Sequence, residues 1–376
     1  MKPHPLLALK ALGQHIWLDN LSRTLLREGE LLRLIGEDGI DGVTSNPAIF
    51  RKAIASSPYY ADDLARLRAD DLGAEAIYEA LVIPDIQAAC DMLWPDYVAS
   101  AGEFGYVSLE VSPELAHDTK ATEAAARRLV AAVERDNLLI KVPGTRAGVA
   151  AFENLTAAGI CVNVTLIFSL AQYEAVAQAY LRGALRWVES GGHARQIRSV
   201  ASIFLSRIDT LVDKRLAAIG TPAATALMGE TGVAVAKACH QRYLELFAGD
   251  AFSMLRLASV RRQTPLWAST GTKNPAYSDL LYVEPLIGPE TINTLPDATL
   301  AAFRQHGKVR ARLTEDIDKA QAQIAALAGL GIDLSEVGES LQLDGLLLFA
   351  EAYRAILADM HPLASSPPLV HSVLAY

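Results

Sequence analysis

One lysine has the most distinctive chemical setting in this sequence. Lys141 lies in the apolar segment LLIKVPG, which Pro143 and Gly144 end. Burial of an ammonium group disfavours its charged form, and a neutral lysine is a nucleophile that forms a Schiff base with a ketone. The alternative is a lysine whose amine extends past the strand end to water. Taken alone, Lys141 favours that alternative, because fully buried lysines are rare.

Polar residues at the ends of other apolar segments favour the Schiff-base interpretation of Lys141. Asn163 and Thr165 in CVNVTLIFS are two residues apart, so a strand points both side chains the same way. The alternative for this pair is a satisfied polar layer below the site. Asp19 in IWLDN could instead cap a helix, Glu110 in LEVSP could be a solvated strand end, and Asn46 in TSNP could be an ordinary loop residue.

This combination of a lysine, hydroxyls and carboxylates suits imine chemistry. Forming and dehydrating a carbinolamine requires groups that shuttle protons. Cleaving a carbon–carbon bond near the imine requires a base for the departing hydroxyl proton. Two carboxylates in different environments can divide these tasks.

Cations and hydroxyls follow the later strands. Arg207 comes after SIFLS, where Ser202 lies, and Lys273 lies in ASTGTKNP with Ser269. Such a group favours a phosphate site, which barrels often place near their last strands. The alternatives are a surface ion pair of Arg207 with Asp209 or Asp213, and a solvated loop charge at Lys273.

Short apolar segments alternate with helical patterns along the chain. They predict eight strands: His15–Asp19, Gly42–Ser45, Gly105–Val111, Leu138–Val142, Gly159–Leu166, Ser199–Leu205, Leu266–Ser269 and Leu281–Glu284. Eight strands with helices between them indicate an α/β fold, a (β/α)₈ barrel. The alternative on pattern alone is an open doubly wound sheet, which the lack of a Gly-rich fingerprint after any predicted strand weakens.

The chain of 376 residues exceeds the roughly 250 of a plain barrel. We predict a single domain over 1–376, with a helical insertion at 51–104 after strand 2. Helices at 308–360 are expected to pack on the barrel, followed by an irregular tail at 361–376.

Composition excludes several classes of protein. Hydrophobic residues make up 51%, which is enough for a large core, and the net charge of −9 argues against non-specific nucleic-acid binding. Cys90, Cys161 and Cys239 are too far apart in the sequence for a metal site. No apolar stretch reaches the roughly 18 residues that span a bilayer, and no secretory signal is recognisable. We therefore expect a cytoplasmic protein.

Seven blocks in order resemble the transaldolases, in particular their longer bacterial form. The blocks are IWLDNLSR, GVTSNPAIF, YVSLEVSP, LLIKVPGT, CVNVTLIFS, SIFLSRIDT and LWASTGTKNPAYSDLLYVEPLIGP. The resemblance covers nearly the whole chain. It implies a Schiff-base transferase of the pentose phosphate pathway. Such an enzyme moves a dihydroxyacetone unit from sedoheptulose 7-phosphate to glyceraldehyde 3-phosphate, giving erythrose 4-phosphate and fructose 6-phosphate.

The resemblance also implies a role for each matched residue. Lys141 is the imine lysine, Asp19 is the acid/base of carbon–carbon cleavage, and Glu110 and Thr165 orient a proton-shuttling water. The implied substrate contacts are donor hydroxyls at Asn46 and Asn163, the terminal hydroxymethyl at Ser202 and the phosphate at Arg207. Shorter transaldolases carry an arginine where this chain has Lys273, in a loop that is one residue longer. Lysine lacks the bidentate fork of arginine, so the role of Lys273 is open.

The expected partners are sugar-phosphate substrates, with no cofactor, metal, nucleic acid or membrane, and the protein is expected to be a monomer or a homodimer. Two other functions stay open. One is a related Schiff-base aldolase that releases free dihydroxyacetone. The other is a catalytically silent barrel that only binds sugar phosphates.

Overall fold

Eight parallel strands close into a barrel in a computed structural model of the protein, which describes residues 5–70 and 72–360. Each strand pairs with the next in the sequence, and the last pairs with the first. The strands are β1 (Gln14–Leu18), β2 (Gly42–Thr44), β3 (Tyr106–Glu110), β4 (Leu138–Pro143), β5 (Val162–Ile167), β6 (Ser199–Phe204), β7 (Thr264–Ala268) and β8 (Thr291–Leu295). The barrel prediction is confirmed, and the open doubly wound sheet is wrong.

Helices surround the barrel. In chain order they are α1 (Pro5–Ala11), α2 (Arg23–Arg27), α3 (Glu30–Arg33), α4 (Pro47–Ser56), α5 (Ala61–Ala69), α6 (Ala74–Ala99), α7 (Thr119–Val133), α8 (Arg146–Thr156), α9 (Leu170–Glu189), α10 (Ser206–Ile219), α11 (Pro222–Thr225), α12 (Thr231–Ala248), α13 (Ser253–Leu257), α14 (Asp297–His306), α15 (Ile317–Gly329) and α16 (Leu334–Met360). A π-helix covers Leu34–Asp38, and short 3₁₀ helices cover Pro58–Tyr60, Pro113–Leu115, Asp250–Phe252 and Glu284–Leu286.

The predicted eighth strand is wrong. Residues 281–284 form turns and the start of a 3₁₀ helix, and the true β8 lies seven residues beyond them at Thr291–Leu295. The predicted segment is apolar because Tyr282 and Val283 are buried in the layer between the barrel and its helices. Asn293 Nδ2 of β8 donates a hydrogen bond to the Tyr282 carbonyl at 3.0 Å, which holds this layer against the strand.

Two helical regions add to the barrel. Helices α4 to α6 lie between β2 and β3, and α6 is 26 residues long although it contains Pro84 and Pro95. At the other end of the chain, α16 packs against α4, α6 and β5. The expected irregular tail at 361–376 lies outside the described residues. Within 5–70 and 72–360, no helix is long and apolar enough to cross a membrane.

Candidate active site

The carboxyl ends of the strands surround a cavity of about 170 Å³. Seven of the predicted site residues line it: Asp19, Asn46, Lys141, Ser202, Arg207, Ser269 and Lys273. They lie in β1, β2, β4, β6 and β7 or in the segments that directly follow these strands, as the barrel fold requires. The other three, Glu110, Asn163 and Thr165, lie in β3 and β5 on either side of Lys141 in β4.

Lys141 is held inside the barrel wall. Its residue is 4% exposed, and Nζ donates a hydrogen bond to the Ser45 carbonyl at 3.1 Å. Nζ also lies 3.9 Å from Glu110 Oε2 and 5.9 Å from the centre of the Phe349 ring. The alternative in which this amine reaches water is therefore wrong.

Glu110 faces Lys141 directly, because the two residues are partners in the register of β3 and β4. Its side chain is 8% exposed, and Oε2 makes no hydrogen bond within the described part of the chain. Burial raises the pKa of Glu110 to about 7; the Lys141 charge opposes this shift and the Asp19 charge adds to it. Glu110 is not a solvated strand end, and it can take up or give up a proton near neutral pH.

Asp19 lies just past β1 and is hydrogen-bonded within the cavity wall. Thr44 Oγ1 is 2.9 Å from Asp19 Oδ1 and 2.7 Å from Thr294 Oγ1. Burial raises the pKa of Asp19, against the opposing effects of Lys141 and the Thr44 hydrogen bond. The cap of α2 is Ser22, whose Oγ accepts from a backbone N–H, so the helix-cap alternative for Asp19 is wrong.

Asn163 and Thr165 lie side by side as their spacing predicts, but their surroundings differ. Asn163 Nδ2 donates to Ser108 Oγ at 3.0 Å, and Ser202 Oγ donates to Asn163 Oδ1 at 2.7 Å. Asn163 is fully buried, so here it has the bonding of a satisfied polar layer. Thr165 Oγ1 is also buried but has no hydrogen-bond partner among the described residues, which leaves its hydroxyl available for other contacts.

Asn46 combines two structural roles. Its Oδ1 accepts a hydrogen bond from Ile49 N at 3.0 Å and so caps α4, which begins at Pro47. Its residue also lines the cavity. Because the cap uses only Oδ1, the amide Nδ2 group can still donate to a ligand.

Arg207 is the second residue of α10 and contributes a half-buried cation to the cavity. Burial lowers its pKa, and the Asp344 charge opposes that shift. The predicted alternative partners are engaged elsewhere: Asp209 accepts from Tyr282 OH and Asp213 from Tyr277 OH, each at 2.8 Å. The alternative of a surface ion pair with either aspartate is therefore wrong.

The loop after β7 contributes Ser269 and Lys273. Ser269 has a positive φ of 54°, and its Oγ lies 2.8 Å from Ser206 Oγ, which joins the loop to the start of α10. Lys273 is exposed but lines the cavity, and its charge lowers the pKa of Asp19. Lys273 is therefore more than a distant loop charge.

Several residues of the cavity wall are not predicted by the sequence analysis, among them Thr294, Phe204 and Phe349. Thr294 is not among the predicted site residues because the predicted eighth strand lies at 281–284 instead of 291–295. The β-branched segment TINTL before Pro296 does indicate a strand. Phe204 and Phe349 line the cavity as apolar side chains, and no sequence pattern distinguishes them from core residues.

The donor set of this cavity fits a polyhydroxylated, phosphorylated ligand. Carboxylates, carboxamides and hydroxyls can form hydrogen bonds with sugar hydroxyls, and the cations Arg207 and Lys273 can bind a phosphate. Within the described residues, no group of three or more histidine, cysteine, aspartate or glutamate side chains could hold a metal ion.

Comparisons with known proteins point to a single family. The family model Transaldolase/Fructose-6-phosphate aldolase matches residues 16–360. A transaldolase of Thiobacillus denitrificans is 57% identical over 349 residues, which are 93% of this chain and 97% of that protein. A transaldolase of Neisseria gonorrhoeae is 47% identical over 94% of this chain and 98% of its own length. Transaldolase 1 of Streptomyces coelicolor is 44% identical over 92% of this chain and 91% of its own. The chain therefore belongs to the Transaldolase/Fructose-6-phosphate aldolase family.

Proposed function

We propose that this enzyme transfers a dihydroxyacetone unit from a ketose phosphate to an aldose phosphate through a Schiff base on Lys141. The donor is sedoheptulose 7-phosphate and the acceptor glyceraldehyde 3-phosphate, and the products are erythrose 4-phosphate and fructose 6-phosphate. The observation that carries this proposal is the buried Lys141 amine, 3.9 Å from Glu110 and within the same cavity as Asp19.

Imine formation is the first step. The Lys141 amine attacks the ketone carbon, and the carbinolamine loses its hydroxyl group as water. Glu110 supplies and recovers the protons, because a carboxyl with a pKa of about 7 exchanges protons readily at neutral pH. The free Thr165 hydroxyl supports this step by orienting the water that carries the proton.

Carbon–carbon cleavage follows. Asp19 accepts the proton of the hydroxyl on the fourth carbon, and the bond between the third and fourth carbons breaks. The bonding electrons pass to the imine and give an enamine, while the aldose phosphate leaves. The acceptor aldehyde then adds to the enamine carbon, Asp19 returns the proton, and hydrolysis releases the new ketose phosphate.

The remaining residues bind the substrate. Asn46, Asn163 and Ser202 are proposed to hold donor hydroxyls, with Asn163 exchanging one of its present hydrogen bonds for a substrate hydroxyl. Arg207 is proposed to bind the phosphate, with Ser269 and Lys273 beside it. A lysine binds phosphate as a point charge, so Lys273 adds charge without the geometry of an arginine fork.

Borohydride reduction tests this proposal. With fructose 6-phosphate present, reduction is expected to fix a stable dihydroxyacetone-derived adduct that mass spectrometry maps to the peptide containing Lys141. Lys141→Met should abolish the adduct and turnover while the circular dichroism spectrum is retained. A protein that forms no adduct is a silent binding barrel. One that consumes donor equally well without an acceptor is an aldolase. The cytoplasmic location and the monomeric or homodimeric state stay predictions from the sequence.

A further inference from the structure

One wall of the cavity comes from outside the eight strand–helix units. Helix α16 passes beside the mouth of the barrel, and Gln342 fastens it there: its Nε2 donates to the carbonyls of Gly144 at 2.9 Å and Leu166 at 3.0 Å. These carbonyls lie at the ends of β4 and β5. Gly345 lies close to the side chains of Leu166 and Arg207, where a Cβ atom would be 2.9 Å from the leucine Cδ2. The helix is therefore held tightly over Lys141 and its neighbours.

Phe349 is the residue of α16 that reaches the reacting amine. Its ring centre is 5.9 Å from Lys141 Nζ, and the residue is 5% exposed. It lines the same cavity as Asp19 and Arg207. Leu347, two residues before it on the same helix, is 60% exposed. The helix thus turns one large apolar side chain into the site.

The proposed reaction creates a need for such a side chain. After the first aldehyde leaves, the enamine must wait for an acceptor. A proton from solvent can instead add to the enamine carbon, water can then add to the imine carbon, and free dihydroxyacetone leaves while the lysine amine is regenerated. This side reaction consumes one water and needs no other reactant. An apolar wall that limits water at the enamine suppresses it.

We propose that Phe349 is a specificity-determining residue that limits the access of water on its side of the Lys141 enamine and so favours transfer over release. The ring carries no proton to donate, unlike the Asp19 carboxyl of the same cavity and the Glu110 carboxyl beside Lys141. The inference rests on the proposed Schiff-base function and adds a determinant of its outcome.

The test measures how the enamine partitions. Fructose 6-phosphate is supplied with and without erythrose 4-phosphate, and the release of free dihydroxyacetone is compared with the rate of transfer. Phe349→Ala is expected to raise the ratio of release to transfer by about tenfold, which corresponds to a change of about 1.4 kcal/mol in relative barrier height. Phe349→Leu should give a smaller increase, and it provides the test if the alanine variant does not fold. In D₂O, the released dihydroxyacetone should carry deuterium at the former enamine carbon.

Leu347→Ala is the matched control, since it truncates an exposed side chain of the same helix. It should leave the ratio unchanged. The inference is overturned if neither Phe349 variant raises the ratio, or if Leu347→Ala raises it equally. Different results would contradict the proposed function. They are a parent enzyme that releases dihydroxyacetone as fast as it transfers it, or the absence of an adduct on Lys141.

Discussion

At the scale of single residues, two carboxyl groups flank one amine in different surroundings. Asp19 accepts a hydrogen bond from Thr44, whereas Glu110 Oε2 makes none within the described residues. Burial raises both pKa values, so both groups hold a proton at higher pH than an exposed carboxyl does. This difference in surroundings supports the proposed division of tasks, in which Asp19 serves cleavage and Glu110 serves imine formation.

Asp19→Asn should separate these two steps. The amide keeps the size of the side chain and can still bond Thr44, but it cannot accept the proton that cleavage requires. We expect turnover to fall by about 10²–10⁴-fold, the usual contribution of general acid–base catalysis. Borohydride should still trap an adduct, now carrying the intact donor sugar, and mass spectrometry measures its size. A variant that traps no adduct at all would place Asp19 in imine formation instead.

Glu110→Gln should change the pH dependence of imine formation. With its pKa raised to about 7, the parent carboxyl is protonated below that pH and ionised above it. Dehydration of the carbinolamine needs a proton donor, so the rate should fall as pH rises through about 7. Timed borohydride trapping between about pH 6 and 9 measures this step.

In Glu110→Gln the rate should be lower throughout and the fall near pH 7 should be lost. Glu114→Gln is the control, because that glutamate is exposed and bonds Arg354 on the surface. An unchanged fall near pH 7 in the Glu110 variant would assign the titration to another group.

At the scale of elements, apolar segments were enough to place seven of the eight strands. They failed for β8 because burial between the barrel and its helices makes residues 281–284 as apolar as a strand. Local composition reports burial but not which layer is buried. Polar residues at the strand ends were enough to predict where the candidate site lies, because a parallel barrel brings those ends together. The place of Phe349 depends on how α16 packs, which is a long-range contact that no local pattern encodes.

A substitution at Gly42 tests how closely β2 packs against β1. A Cβ atom at this first residue of β2 would lie 2.3 Å from the indole ring of the buried Trp17 in β1. Gly42→Ala should therefore lower the free energy of unfolding by about 1–3 kcal/mol or more, the usual cost of overpacking. Gly36→Ala is the control, because a Cβ there meets no atom within 4 Å. Urea denaturation measures both, and equal stability of the two variants would contradict this packing.

At the scale of the whole molecule, one buried arginine links the barrel to the helices between β2 and β3. Arg23 at the start of α2 bonds Asp85 of α6 at 2.8 Å and Asp63 of α5 at 2.6 Å. Tyr60 OH also donates to Asp85 at 2.8 Å. Burial raises the pKa of Asp85 even though Arg23 opposes the shift. These contacts favour the predicted single domain, in which the added helices unfold together with the barrel.

Arg23→Met should test this coupling, because it leaves Asp85 buried without its cation. We expect a loss of about 3–5 kcal/mol in the free energy of unfolding near neutral pH, the cost of breaking a buried pair. Removing Arg23 raises the Asp85 pKa further above its unfolded value. At low pH Asp85 is protonated and carries no charge that needs a cation, so the loss in the free energy of unfolding should be smaller there. The loss should grow as pH rises through the raised pKa of Asp85.

Urea curves followed by circular dichroism and by tryptophan fluorescence measure this loss, and in a single domain the two signals should change together. Trp94 of α6 and Trp267 of β7 report on the added helices and on the barrel. Arg66→Met is the control, since Arg66 is exposed and pairs with Asp63 Oδ1 at 3.0 Å on the surface; it should change stability by about 0.5 kcal/mol or less. If the helices and the barrel share one hydrophobic core, they should still unfold together after this single polar contact is lost. Two separate transitions in the Arg23 variant would contradict the single domain, because they would show that the helices and the barrel unfold independently.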